Sequence, residues 1–543
     1  MRTARKCLMA MLAVAIALVA TDPARAAGQC AELARLAPTD AAFHRPIAEF
    51  TAVEVPAKGN APAHCALSGV IWPETRYLLL LPKQGWNGRF VMTGNGGPAG
   101  VLRTEPIAEL LRRGYAAAGD SGGHFGNQPL FAFGYNPPDN SNPYAQQKLA
   151  DFAYRSIHES ARLSRQLIRS YYGSAPKYSY YVGASQGGRQ GLKNAQLYPD
   201  DFDGWVVGYP VINITNQTMT GVLNSRAVVA GAGAISPAKL ALLAMTTLRR
   251  CDAVDGVADG LIADPRACDF QPARDLPLCA DDKDRDDCFT PAQAEGIAQV
   301  YRGPRSTSGK PVYFGTPVGS EIFAPNRGFG PPQGPVTLAS LWRAFLLPAD
   351  PARPMTSVSL AYGDSYVKYL VLQQPNWDWR TGELDNYEAV ARARGIYELV
   401  DALNPDLHRV AGAGKKIIQY HGWADALVTP FVSVDYYERV NATLGEKATH
   451  DFYRLFMIPG MGHGPSAGPS DVGDWLGLME DWVERGKAPE RLTATRPAIE
   501  ALGVRAMTRP LCPYPQQAAY SGHGSSDDAA SFKCVARNSV VAR

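Results

Sequence analysis

The stretch YSYYVGASQGG, residues 178–188, decides the fold, because it reads as a β-strand running into a Gly-x-Ser-x-Gly turn and then into a helix. Aromatic and β-branched residues ahead of Gly183 favour strand, while residues 188–197 can continue as a helix. Small residues at Gly183 and Gly187 let the backbone reverse sharply. That leaves the Ser185 hydroxyl exposed where a nucleophile would stand, with the Gln186 amide free to face a developing oxyanion. The pentapeptide alone is a modest signal in a chain with 52 glycines; its flanks give it weight.

Outward from this turn, residues 77–81, 89–93, 115–118, 178–182 and 204–208 read as strands, and 156–172 carries apolar residues at helical spacing. Strand alternating with helix predicts an α/β fold with a mainly parallel sheet flanked by helices. The rhythm stops over residues 211–400, which are rich in Pro, Gly and Asp, and resumes with strands at 415–420 and 451–458. The expected organisation is an α/β-hydrolase domain built from 27–210 and 401–543, interrupted by a lid domain at 211–400.

Residues 1–26 combine Arg2, Arg5 and Lys6 with the apolar run 8–20 and a closing Ala24-Arg25-Ala26, the pattern of a secretory signal. No later segment approaches the ~20 apolar residues of a membrane span, so no membrane association is expected. The formal charge is +3; losing four basic residues (Arg2, Arg5, Lys6, Arg25) and one acidic residue (Asp22) leaves a neutral mature chain. Without a basic run interleaved with aromatics, nucleic acid is not an expected partner. Of nine cysteines, Cys7 leaves with the leader. The eight others in an exported chain imply disulfides, and their clustering favours 30–65, 251–268, 279–288 and 512–534 among the many possible connectivities. A zinc cluster is the rival, but no Cys-x-x-Cys occurs and only His64 lies near a cysteine at ligand spacing.

A serine hydroxyl is scarcely ionised at neutral pH and needs a histidine to take its proton and a carboxylate to orient that histidine. In an α/β-hydrolase the acid and then the histidine follow the serine, each on a loop after a late strand. His421-Gly-Trp-Ala-Asp425 follows the first late strand and Pro459-Gly-Met-Gly-His463-Gly464 the second. Asp425 is therefore the expected orienter and His463 the expected base; His421 competes but precedes the acid and sits too close to the strand end. The glycine-rich Thr93-Gly94-Asn95-Gly96-Gly97-Pro98 offers the second oxyanion donor, Gly97 or Gly96 beside Gln186. Ala63-His64-Cys65 and Gly119-Asp-Ser121-Gly-Gly123 imitate fragments of a chymotrypsin-like protease, but they are too close in sequence to span two β-barrels.

With Ser185, Asp425 and His463 placed, nearly the whole mature chain resembles the tannase and feruloyl esterase family, which includes mono(2-hydroxyethyl) terephthalate hydrolases. The resemblance rests on blocks in order: Trp86-Asn-Gly-Arg-Phe90, Gly94-Asn-Gly-Gly97, Gly183-x-Ser-x-Gly-Gly-Arg189, Tyr198-Pro-Asp-Asp-Phe-Asp-Gly204, His421-Gly-Trp-Ala-Asp425, Pro459-Gly-Met-Gly-His463 and Arg509-Pro-Leu-Cys-Pro-Tyr-Pro515. It implies a serine carboxylic ester hydrolase with a large lid, acting on a small ester of a hydroxycinnamic, gallic or related aromatic acid, with local disulfides like those above. The stretch from Cys251 to Leu261 is similar to the family's calcium loop. Asp252, Asp255 and Asp259 with the carbonyls of Val257 and Leu261 would wrap a structural calcium, the rival being a solvated acidic turn. One departure stands out: where the resemblance implies a cysteine pair immediately before the serine and after the histidine, this chain has Ala184 and Gly464. Packing alone is then expected to hold the site. The competing readings are an exported α/β-hydrolase peptidase or aliphatic polyester depolymerase, and a non-catalytic calcium-stabilised binding protein on the same scaffold.

Overall fold

The computed structural model describes residues 30–35, 45–126, 129–305, 309–326 and 337–536; the leader expected at 1–26 lies outside them. Nine strands form one mixed sheet: β1 (Ile47–Val55), β2 (His64–Ile71), β3 (Thr75–Pro82), β4 (Arg89–Thr93), β5 (Ala116–Asp120), β6 (Tyr178–Ala184), β7 (Gly204–Gly208), β8 (Lys416–Gly422) and β9 (Tyr453–Ile458). Their spatial order is β1-β2-β3-β5-β4-β6-β7-β8-β9. The first three run antiparallel to their neighbours, and the six from β5 to β9 are mutually parallel.

The parallel strands are short apolar runs because both of their faces are covered, as in Arg89–Thr93 and Gly204–Gly208. Val91, Ala117, Tyr180, Val206 and Ile418 point into one apolar cluster, shared with the helices Thr104–Arg112 and Trp475–Arg485. Phe90, Met92, Tyr181 and Val207 point the other way into a second cluster, shared with the helix Ser156–Tyr172 and with residues of the insertion between β7 and β8. That insertion contributes the helices Ile214–Val228 and Val358–Ser365 among others, and the second cluster runs through it without a break.

Strand limits differ from the sequence expectation where pairing overrides local pattern. β6 continues to Ala184 because Ala184 still pairs with Gly208 of β7, and β9 starts at Tyr453 because 451–452 complete the helix Glu446–Phe452. The two outer strands β1 and β2 extend the sheet beyond its expected edge; β2 buries every second residue, as a half-covered antiparallel strand should.

The four disulfides are Cys30–Cys65, Cys251–Cys268, Cys279–Cys288 and Cys512–Cys534. The last staples a C-terminal ribbon, Gln516–Tyr520 paired with Phe532–Ala536. Register decides where function can sit. Thr93 lies opposite Val182, Ala184 opposite Gly208, Gly208 opposite Tyr420 and Gly422 opposite Ile458. The loops that leave the C-terminal ends of β4, β6, β7, β8 and β9 therefore emerge along one edge of the sheet, where ligand sites of open α/β sheets form.

Candidate active site

Ser185 occupies the one-residue turn between β6 and the helix Gln186–Leu197, with φ 59° and ψ −120°. A left-handed backbone is unfavourable for serine and needs support from its surroundings. Here the Ser185 amide donates to the Gly208 carbonyl (2.9 Å), and the Ser185 carbonyl accepts from the Arg189 amide (3.1 Å). Buried Tyr181 donates its hydroxyl to the Gly187 carbonyl (2.7 Å). Gly187 is required by space, since a Cβ there would stand 2.8 Å from the Asn95 carbonyl oxygen of the neighbouring loop. Arg189, fully buried, donates to Gln186 Oε1 (2.9 Å) and to the carbonyls of Phe152, Ala153 and Val400, so it ties this helix to the end of the insertion.

The fold brings the three side chains selected from the sequence into one chain of contacts. His463 Nε2 is 2.8 Å from Ser185 Oγ, and His463 Nδ1 is 2.8 Å from Asp425 Oδ2. Because an ionised carboxylate can only accept, Nδ1 carries the proton and Nε2 is left to accept from the serine. The remaining Asp425 oxygen accepts from the amides of Leu427 and Val428 (both 2.9 Å). Burial alone would raise the Asp425 carboxyl, but His463 and His421 more than offset it and hold it well below the usual carboxylate range.

His421 takes a different place. It is the penultimate residue of β8, fully buried, with Nδ1 against Ser433 Oγ (2.7 Å) and Nε2 against Asp425 Oδ2 (3.2 Å) and the Val428 carbonyl (3.1 Å). It is thus a second imidazole behind the carboxylate. The fragments around His64 and Ser121 are held apart: His64 pairs with Pro82 at one end of β3, and the Ser121 hydroxyl accepts from the Arg76 amide at the other. Six residues of strand separate those ends, about 20 Å.

Gln186 and Gly97 border one cavity with Ser185, whereas Gly96 is not part of that wall. Among the described residues, the amides of Gln186, Gly96 and Gly97 have no intramolecular acceptor. The Gly94–Gly97 loop is clamped to the serine helix by a reciprocal amide pair. The Asn95 amide donates to Gln190 Oε1 (3.0 Å), Gln190 Nε2 donates to Asn95 Oδ1 (2.8 Å), and Asn95 Nδ2 donates to the Asp120 carbonyl (2.7 Å). Sequence offered no sign of this clamp, because its two amides are 95 positions apart.

The cavity beside Ser185 is narrow, about 40 Å³. Phe131, Val211, Ile214, Tyr362 and Leu427 supply apolar wall, with Gln217, Thr218 and Ser359 as polar neighbours. Of the aromatic residues conspicuous in the insertion, Tyr362 reaches this cavity, whereas Trp342, Trp377 and Trp379 are packed in the core. Most of these wall residues come from separated segments of the insertion and carry no local motif. Phe131 alone carries a structural mark, a left-handed φ of 56°.

In the acidic loop, Asp252 accepts from the amides of Asp259 and Gly260, Asp255 from Val257, and Asp259 from Leu261. Asp259 also forms a buried ion pair with Arg509. Burial, with repulsion from Asp259 and Asp252, pushes the Asp255 carboxyl up to about 6. Among the described residues no three acidic, histidine or cysteine side chains are gathered closely enough to enclose a metal ion. The donors available are nonetheless hard oxygens, three carboxylates against one guanidinium, which is the chemistry calcium prefers.

None of the four disulfides joins the residues beside Ser185 and His463, which are Ala184 and Gly464. At Gly464 the backbone has φ 112°, open to glycine and strained for a cysteine.

Residues 62–535 match the family described as tannase and feruloyl esterase. An uncharacterized esterase of Xanthomonas campestris pv. campestris is 32% identical over 97% of this chain and 94% of its own length. A probable feruloyl esterase B-1 of Aspergillus terreus is 32% identical over 83% of this chain and 82% of its own. Among solved structures, feruloyl esterase B from Aspergillus oryzae superimposes with a TM-score of 0.75 at 27% identity, covering 94% of this chain and 99% of that one.

Proposed function

The chain belongs to the tannase and feruloyl esterase family and is a carboxylic ester hydrolase, and from that premise we propose that it is an exported serine esterase cleaving esters of aromatic acids through Ser185, His463 and Asp425. The observation that carries the proposal is the unbroken hydrogen-bond chain Asp425–His463–Ser185, whose serine borders a partly aromatic cavity.

In the proposed reaction His463 Nε2 takes the Ser185 proton as Oγ attacks the ester carbonyl, while Asp425 holds Nδ1 protonated and stabilises the imidazolium. The amides of Gln186 and Gly97 receive the oxyanion, a role the absence of internal acceptors leaves open to them. Collapse of the tetrahedral intermediate passes the proton from His463 to the leaving alcohol and leaves an acyl group on Ser185. Water, deprotonated by His463, then attacks the acyl carbon and releases the acid. Residues 211–400 act as the lid that walls the acid pocket, with Phe131 and Tyr362 facing the aromatic ring.

Export is supported by the four disulfides, which persist in oxidising compartments. No helix among the described residues is long and apolar enough to cross a membrane.

The experiment is a panel of methyl ferulate, methyl gallate, an aliphatic p-nitrophenyl ester and a peptide p-nitroanilide, run on purified protein. The aromatic methyl esters are expected to give the highest kcat/KM; a preference for the anilide or the aliphatic ester would defeat the aromatic-acid reading.

Asp252, Asp255 and Asp259 with the carbonyls of Val257 and Leu261 are proposed to hold a structural calcium, on the strength of that oxygen donor set inside the Cys251–Cys268 loop. The ion would brace the insertion and takes no part in the ester chemistry. A calcium chelator is expected to lower Tm by several degrees in the wild type and to change little in Asp255→Asn, with calcium restoring the wild type better than magnesium. A wild-type Tm that ignores both chelator and calcium would remove the ion from this reading.

A further inference from the structure

We infer that Tyr209 is a positioning residue for His463, acting on the reaction through the imidazole; the inference rests on His463 being the base. Polar contacts hold the His463 ring only along its edge, at Nδ1 and Nε2. Two aromatic rings also meet it. The Tyr209 ring meets it at 4.8 Å and 66°, and Phe345, from the insertion, at 5.9 Å and 78°. Both are edge-on arrangements that resist rotation of the imidazole out of the Asp425–Ser185 line.

Three glycines, 460, 462 and 464, surround the histidine. The loop is held by Ser466, whose hydroxyl accepts from the Gly462 amide (3.0 Å) and donates to the Gly464 carbonyl (2.8 Å), and by backbone bonds such as that from the Ala424 amide to the Met461 carbonyl (2.9 Å). Tyr209 is itself anchored on both backbone and ring. Its amide donates to the Tyr420 carbonyl (2.6 Å) and its ring meets Tyr420 at 5.8 Å and 75°. Tyr420 in turn stacks on Trp475 at 4.4 Å, so an aromatic row runs from the helix Trp475–Arg485 through Tyr420 and Tyr209 to the imidazole.

The backbone supplies the second observation. Tyr209 has φ 29°, on the left-handed side where a bulky aromatic residue is strained and glycine is at ease. A strained residue in contact with a reacting group points to a function for the side chain, because glycine would relieve the strain. Ser185 Oγ and His463 Nε2 must stay aligned while the proton moves to the imidazole and back, and small misplacements of such groups cost about 10²-fold in rate. Tyr209 limits that misplacement.

The test compares Tyr209→Gly, Tyr209→Phe and Ser185→Ala on the full chain. Tyr209→Gly relieves the backbone but removes a packed ring, so its Tm should fall by a few degrees with the fold retained, while kcat falls about 10- to 100-fold at nearly unchanged KM. Labelling of Ser185 by a fluorophosphonate should slow in parallel. Tyr209→Phe keeps the ring and should recover most of kcat. Should Tyr209→Gly fail to fold, Tyr209→Asn, whose short side chain tolerates the same backbone, carries the same expectation. Wild-type kcat in Tyr209→Gly overturns the positioning role while an inactive Ser185→Ala leaves the esterase site standing. A Ser185→Ala that stays active overturns both, and a Tyr209→Phe as impaired as Tyr209→Gly assigns the effect to the hydroxyl and overturns the role of the ring.

Discussion

Ser185→Ala is expected to lower kcat by about a million-fold, with Tm unchanged and labelling by a fluorophosphonate abolished. The size follows from the chemistry: without the hydroxyl there is no acyl-enzyme, and serine hydrolases that lose this atom fall by about 10⁶ in kcat, keeping a residual about 10³–10⁴ above water from the oxyanion donors and substrate binding. The fold should tolerate the change, because alanine has the same Cβ at the same left-handed backbone and the Ser185 main chain keeps its bonds to Gly208 and Arg189. Activity within a hundred-fold of wild type would place the nucleophile elsewhere.

Asp425→Asn is expected to cost about 10⁴-fold in kcat while leaving KM close to wild type. All four neighbours of this carboxylate present hydrogen-bond donors or imidazole nitrogens to it: the Leu427 and Val428 amides to one oxygen, and His463 and His421 to the other. An asparagine has one acceptor oxygen. If that oxygen stays with the two loop amides, its NH₂ faces His463 Nδ1 and forces the proton to Nε2, where it blocks acceptance from Ser185. If the amide flips, the loop loses its tether. Either way the rate falls, and kcat measured across pH would show a loss that no pH restores. The same carboxylate has a folded-state pKa below its unfolded one. Its contribution to stability is therefore present above about pH 4 and lost as pH falls further, a dependence that Asp425→Asn should weaken. A variant retaining a tenth of wild-type kcat would show that Asp425 does not orient the base.

Much of the fold was legible because each parallel strand is a short apolar run with a turn or helix signal after it, and those local signals survive in the tertiary structure. Residues 89–93 and 204–208 are strands at their expected limits, and 156–172 is a helix ended by Gly173 in the left-handed conformation. The four cysteine pairs were within reach for a related reason: each bridges 35 residues or fewer, so chain proximity favours them. The outer strands β1 and β2 are less conspicuous, since an edge strand with an exposed face need not be apolar and its pairing partner decides whether it forms.

For the site, sequence by itself determined the serine turn and the two late loops, because a parallel sheet delivers the C-terminal ends of its strands to one edge whatever their order in the chain. Asp425 and His463 could be picked on that ground, and the fold brings His463 onto Ser185 across 278 positions and Asp425 onto His463 across 38. Only the tertiary structure decided which imidazole faces the serine. His421 ends inside β8 and points behind the carboxylate toward Ser433, whereas His463 lies on a glycine-rich loop that can turn over Ser185. It also decided that Gly97 and not Gly96 borders the cavity, that Phe131 and Tyr362 wall it, and that Tyr209 meets the imidazole. These are contacts between side chains from separate segments, fixed by packing through space, and no local periodicity or motif encodes them.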